Sequence, residues 1–66
     1  MDNFKKIVAE NIIRLRTSKG MTQAELGEML SYSDKSISKW ERADALPDAY
    51  VLKKIADLFD VTVDYL

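Results

Sequence analysis

With 66 residues, no cysteine and no histidine, the chain is one domain at most and has no disulfide, no thiolate metal site and none of the histidine-dependent hydrolase triads. Its 10 basic and 11 acidic residues leave a net charge of −1, a total that argues against a nucleic-acid partner. The charges are segregated, however: Lys5, Lys6, Arg14, Arg16 and Lys19 come first, Lys35, Lys39 and Arg42 lie mid-chain, and Asp44, Asp48, Asp57, Asp60 and Asp64 crowd the last third, so a basic face is still open to it. No stretch approaches the roughly 20 apolar residues of a membrane span, and residues 1–13 lack the apolar run and small-residue cleavage site of a secretory signal.

In chain order, the pattern is helical throughout. Phe4, Val8, Ile12 and Leu15 recur at helical spacing and predict a first helix over 3–19, with Gly20 behind it as a closing residue of positive φ. Thr22-Gln23-Ala24-Glu25 is a T-x-x-E capping box, so a second helix covers 23–30, with Ala24, Leu26, Met29 and Leu30 on its inner side. Gly27 sits inside that helix at a propensity cost of roughly 1 kcal/mol, which predicts a close approach of the third helix's backbone. Ser33 caps a third helix over 34–42, held by Ile37 and Trp40 three residues apart. Asp48, after Pro47, caps a fourth over 49–59 with Leu52, Ile55, Ala56 and Phe59 inward. Thr62 opens a last short turn over 63–66. The prediction is an all-α, compact five-helix bundle, residues 1–66 forming one domain. Its second and third helices are joined by about three residues, as in a helix-turn-helix.

The stretch TQAELGEMLSYSDKSISKWE resembles the core of the Xre/Cro-type helix-turn-helix family, the lambda-repressor-like domains of phage repressors and many small bacterial regulators. The likeness extends over nearly the whole chain, through Ile12, Leu15 and Arg16 in the first helix, Ile37, Ser38, Trp40 and Glu41 in the third, Pro47, and the closing IADLFDVTVDYL. Separated elements in the right order and at the right distances make it specific. The sequence departs from the family at Ser31, where glycine or asparagine is usual in a left-handed turn. It departs again in Arg42-Ala43-Asp44, where a glycine is common.

The resemblance implies that the third helix enters the DNA major groove and that Ser33, Asp34, Lys35, Ser36 and Lys39 reach base edges. Chemically, lysine donates to guanine O6 and N7, aspartate accepts from cytosine N4, and serine does either. Gln23 resembles the family's phosphate-clamping glutamine, its amide joined by the free N–H groups of a helix start, and Ser38 and Arg42 are further candidates for phosphate. Arg16 and Glu41 resemble a structural ion pair tying the first helix to the end of the third. Lys19, Lys53 and Lys54 read as solubilising.

The implied function is a sequence-specific transcriptional regulator, a repressor by the family's habit, acting in the cytoplasm of a bacterium or on behalf of a phage. It would bind double-stranded operator DNA as a homodimer on palindromic half-sites, with no cofactor, no metal and no membrane contact. The alternative is an antitoxin or antirepressor that keeps this fold but takes a protein as its main ligand, which the acidic total favours. An enzyme is set aside because no nucleophile–base pair or metal-ligand cluster is visible. Val61, Val63, Tyr65 and Leu66 either close the core or form a dimer surface or a join to another domain, and the chain ends at Asp64-Tyr65-Leu66 where family members usually continue. The expectation is therefore the N-terminal part of a longer protein.

Overall fold

The computed structural model of the chain describes residues 2–62. Those residues form four α-helices and no strand: α1 (Asp2–Ser18), α2 (Gln23–Leu30), α3 (Asp34–Glu41) and α4 (Ala49–Phe59). The described bundle thus has four helices, not five; the expected turn over 63–66 lies outside the described residues. Among the described residues no helix is long and apolar enough to cross a membrane.

Local chemistry sets the helix starts. Thr22 and Glu25 complete the capping box, with the Glu25 amide donating to Thr22 Oγ1 at 3.0 Å and the Thr22 amide donating to Glu25 Oε1 at 2.8 Å. Ser33 Oγ accepts from the Ser36 amide at 3.3 Å, and Asp48 Oδ1 from the Val51 amide at 2.9 Å.

The helix ends share one device. Behind α1, α2, α3 and α4 stand Gly20, Ser31, Ala43 and Asp60, all with left-handed φ of 67°, 64°, 61° and 57°. In each case the next amide reaches back five residues to a carbonyl: Met21 to Arg16, Tyr32 to Gly27, Asp44 to Lys39 and Val61 to Ala56, at 2.7–3.1 Å. This is the Schellman closure, which usually recruits glycine because a Cβ clashes there at a cost of about 1–2 kcal/mol. The two departures from the family at Ser31 and Ala43 fall on these strained positions.

Every helix contributes one side chain with no exposed surface, Ile12, Leu26, Ile37 and Ile55, and these meet Val8, Leu30, Trp40, Val51, Ala56 and Phe59 in one core. Full burial of such a side chain is worth about 1.5–3 kcal/mol. Three residues assigned inward by periodicity are exposed instead. Phe4 shares the stripe of Val8 and Ile12 but is 56% exposed, since spacing defines a face and not what covers it. Ala24 and Met29 are exposed because the buried strip of α2 is narrow, consisting of Leu26, Gly27 and Leu30.

Gly27 is where α2 meets the turn. A Cβ there would stand 2.5 Å from the Tyr32 carbonyl oxygen and 3.2 Å from the Ser33 carbonyl carbon. The close approach is made by the turn leading into α3, not by the body of the third helix. The core would thus be overpacked in Gly27→Ala, which is expected to lose about 1–3 kcal/mol despite alanine's better helix propensity. Ala43→Gly should gain about 1 kcal/mol by relieving the left-handed strain. Thermal unfolding followed by circular dichroism reads both, at about 4–8 °C per kcal/mol; melting points moving the other way would contradict this account of the helix ends.

Candidate nucleic-acid interface

The end of α3 is locked to two other helices through one carboxylate. Arg16 Nε donates to Glu41 Oε2 at 2.6 Å and Nη2 donates to Oε1 at 3.0 Å, a bidentate fork. Gln23 Nε2, at the start of α2, donates to the same Oε1 at 2.9 Å. Arg16 Nη1 donates to the Met21 carbonyl at 2.8 Å, while the Met21 amide donates back to the Arg16 carbonyl. The side chains of Arg16 and Glu41 are only 15% and 5% exposed. The hydrogen bond that Arg16 donates to Glu41 holds its guanidinium above its ordinary pKa, outweighing the lowering by burial.

With Ile37 and Trp40 buried on one side of α3, the other side is polar. Lys35 and Lys39, four apart, are both exposed, as is Asp34 in the first turn. Arg42 lies three residues beyond Lys39 and continues the stripe. Ser36 and Ser38 are half-buried, and the hydroxyls of Ser33 and Ser36 are 3.3 Å apart. Arg42 folds back on the helix, with Nη1 bonded to Ser38 Oγ and Nε donating to Asp44 Oδ2 at 2.9 Å. Ser33, Asp34, Lys35, Ser36 and Lys39 are therefore gathered on the start and outer face of one short helix. Gln23 reaches the opposite end of that helix through Glu41, while Ser38 and Arg42 are already engaged with each other.

Several features had no signal in the sequence. The Gln23–Glu41 bond joins residues 18 apart, beyond any local spacing rule. Tyr32 in the turn sets its ring edge-on to Trp40, with centroids 5.2 Å apart at 64°. Asn11 is buried on α1 and accepts from Arg14 Nη1 at 3.0 Å. Lys5 and Lys6 from α1 share a cleft with Arg42 and Ala43.

Removing the carboxylate would leave the Arg16 guanidinium mostly buried without a counter-charge. Glu41→Ala is expected to cost about 3–5 kcal/mol, a large share of the roughly 5–15 kcal/mol that holds a domain folded, with Glu41→Gln costing less because its shape is kept. Urea denaturation measures both; a Glu41→Ala midpoint equal to wild type would reduce the junction to an ordinary surface pair.

The chain resembles known proteins in sequence and in shape. A helix-turn-helix family model matches residues 12–66. Over 57 residues, 86% of this chain and 28% of the relative, it is 44% identical to the HTH-type transcriptional activator BcrR of Enterococcus faecalis. It is 37% identical over 51 residues to the HTH-type transcriptional regulator ImmR of Bacillus subtilis, covering 77% of this chain and 40% of that one. The fold superposes on the P22 c2 repressor, solved in complex with a synthetic operator in the presence of Tl+, with a TM-score of 0.83 and 30% identity over 89% of each chain. The chain spans about a quarter to about half of the length of the first curated relatives it matches. It belongs to the helix-turn-helix family, in its Xre/lambda-repressor-like branch.

Proposed function

We propose that this chain is a sequence-specific DNA-binding module of a transcriptional regulator that reads the major groove with α3. The observation that carries the reading is the division of that helix. Ile37, Trp40 and Glu41 hold it from behind, while Lys35 and Lys39 stand exposed together on its outer face. The likeness to a repressor solved with its operator and to HTH-type transcriptional regulators supports the same assignment.

In this reading Ser33, Asp34, Lys35, Ser36 and Lys39 meet base edges. Lys35 and Lys39 donate to guanine, and Asp34 discriminates by accepting from cytosine N4. Gln23 keeps one amide hydrogen on Glu41 and presents the other to a phosphate at the start of α2, where the free backbone N–H groups add to it. Ser38 and Arg42 reach phosphate once Arg42 exchanges its contact with Asp44 for the stronger field of the duplex. Two copies bind palindromic half-sites about 34–36 Å apart, and occupancy of the operator represses. A single copy binds weakly, because affinity comes largely from the number of phosphates neutralised.

Selection from a random-sequence duplex pool, at low and at moderate salt, tests this. An inverted motif should be enriched. Lys35→Ala should relax the preference at particular positions and cost about 1–3 kcal/mol, whereas Gln23→Ala should weaken all sequences about equally. Retention of folded protein without enrichment of any sequence would sink the proposal in favour of a protein-binding role.

A further inference from the structure

We propose that the cleft between the start of α1 and the end of α3, lined by Lys5, Lys6, Arg42 and Ala43, holds a backbone phosphate of DNA. It would extend the contact made by α3; this rests on the DNA-binding reading above and adds a part of α1 to it. Three cationic residues from two distant segments line one cleft. Neither Lys5 nor Lys6 makes an ion pair or hydrogen bond among the described residues. Acidic residues close by in the chain are Asp44, already bound to Arg42 at 2.9 Å, exposed Glu10, four residues after Lys6 on α1, and Asp2, one turn before Lys5 and Lys6 on the same helix. The cleft thus offers two ammonium groups that carry no ion pair, beside a guanidinium, and an anion entering it would supply the counter-charge.

Continuity identifies the anion as part of a polymer. Lys35, Lys39 and Arg42 recur at i, i+4 and i+7, one stripe along the outer face of α3, and Arg42 is also a wall of the cleft. Lys5 and Lys6 therefore prolong a track that begins at the proposed reading positions. A chain of net charge −1 would in this way concentrate cations along one path, as a polyanion requires. An isolated phosphate would use the cleft but would have no use for the stripe leading to it.

Salt dependence separates these cases. Affinity of the full chain for one duplex bearing its enriched motif is measured across a series of salt concentrations for wild type, for Lys5→Gln/Lys6→Gln, and for Lys53→Gln/Lys54→Gln, which removes the same charge from α4. Each neutralised phosphate contributes about 0.9 to the slope of log K against log salt, and the cleft holds one, so the α1 pair should lower that slope by about 1. It should also weaken binding roughly tenfold at low salt. The enriched motif should stay as in wild type, and the α4 pair should keep the wild-type slope. An unchanged slope in the α1 pair, with wild-type binding and motif intact, overturns the cleft and spares the reading by α3. An equal fall in the α4 pair also overturns it, since net charge alone would then be responsible. If wild type binds no duplex, both assignments fall. Inorganic phosphate is titrated in parallel and followed at the Arg42 and Ala43 amides by NMR. Saturable shifts there, without any slope change in the α1 pair, would assign the cleft to a free anion and not to DNA.

Discussion

The pose of α3 depends on the Glu41 carboxylate. Ile37 and Trp40 supply the apolar attachment, but two anchors three residues apart leave a helix of 8 residues free to tilt and roll about them. Glu41 removes that freedom by accepting from Arg16 on α1 and Gln23 on α2 at once. The return bond from Arg16 to the Met21 carbonyl ties in the loop between those two helices as well. A side chain that reads base edges must be held to within about 0.5 Å, and a bidentate charged pair sheltered from water has the directionality that packing alone lacks.

At the other end of α3 the constraint is steric. Gly27 lets the Tyr32 carbonyl lie against the axis of α2, in space that any Cβ would occupy. The Schellman closure at Ser31 then reverses the chain within a few residues so that Ser33 caps the next helix. Ala43 performs the same reversal after α3, so both boundaries of the helix carry a non-glycine residue in left-handed conformation. Strain of order 1 kcal/mol at each is tolerable only because the core and the Glu41 junction over-determine the geometry.

Charge distribution follows from the same architecture. α4 carries acidic Asp57, beside the core residues Ile55, Ala56 and Phe59, and Lys53 pairs with it one turn away. Among the described residues, Arg16, consumed by Glu41, is the cation of α1 and α3 that forms an ion pair; Arg14 is held by neutral Asn11, and Arg42, just after α3, leans on Asp44. The chain's slight negative total therefore says little about the face that α3 presents, because the sum mixes neutralised, structural and uncommitted charges.

The amino-acid order by itself determined what is decided within a turn or two of helix. The T-x-x-E box, the Ser33 and Asp48 caps, the left-handed end at Gly20, and the apolar spacing of Ile12, Ile37, Ile55 and Phe59 all act through neighbours on the same stretch of backbone. Only the tertiary structure decided what covers what. Phe4 and Met29 obey or approach the helical period yet face solvent, Gly27 accommodates a turn instead of a helix body, Gln23 finds Glu41 across 18 residues, and Lys5 and Lys6 come to Arg42. The physical reason is that periodicity and capping are properties of local geometry. Which surfaces meet is set by how four helices pack at once, and that joint solution is written in no single segment.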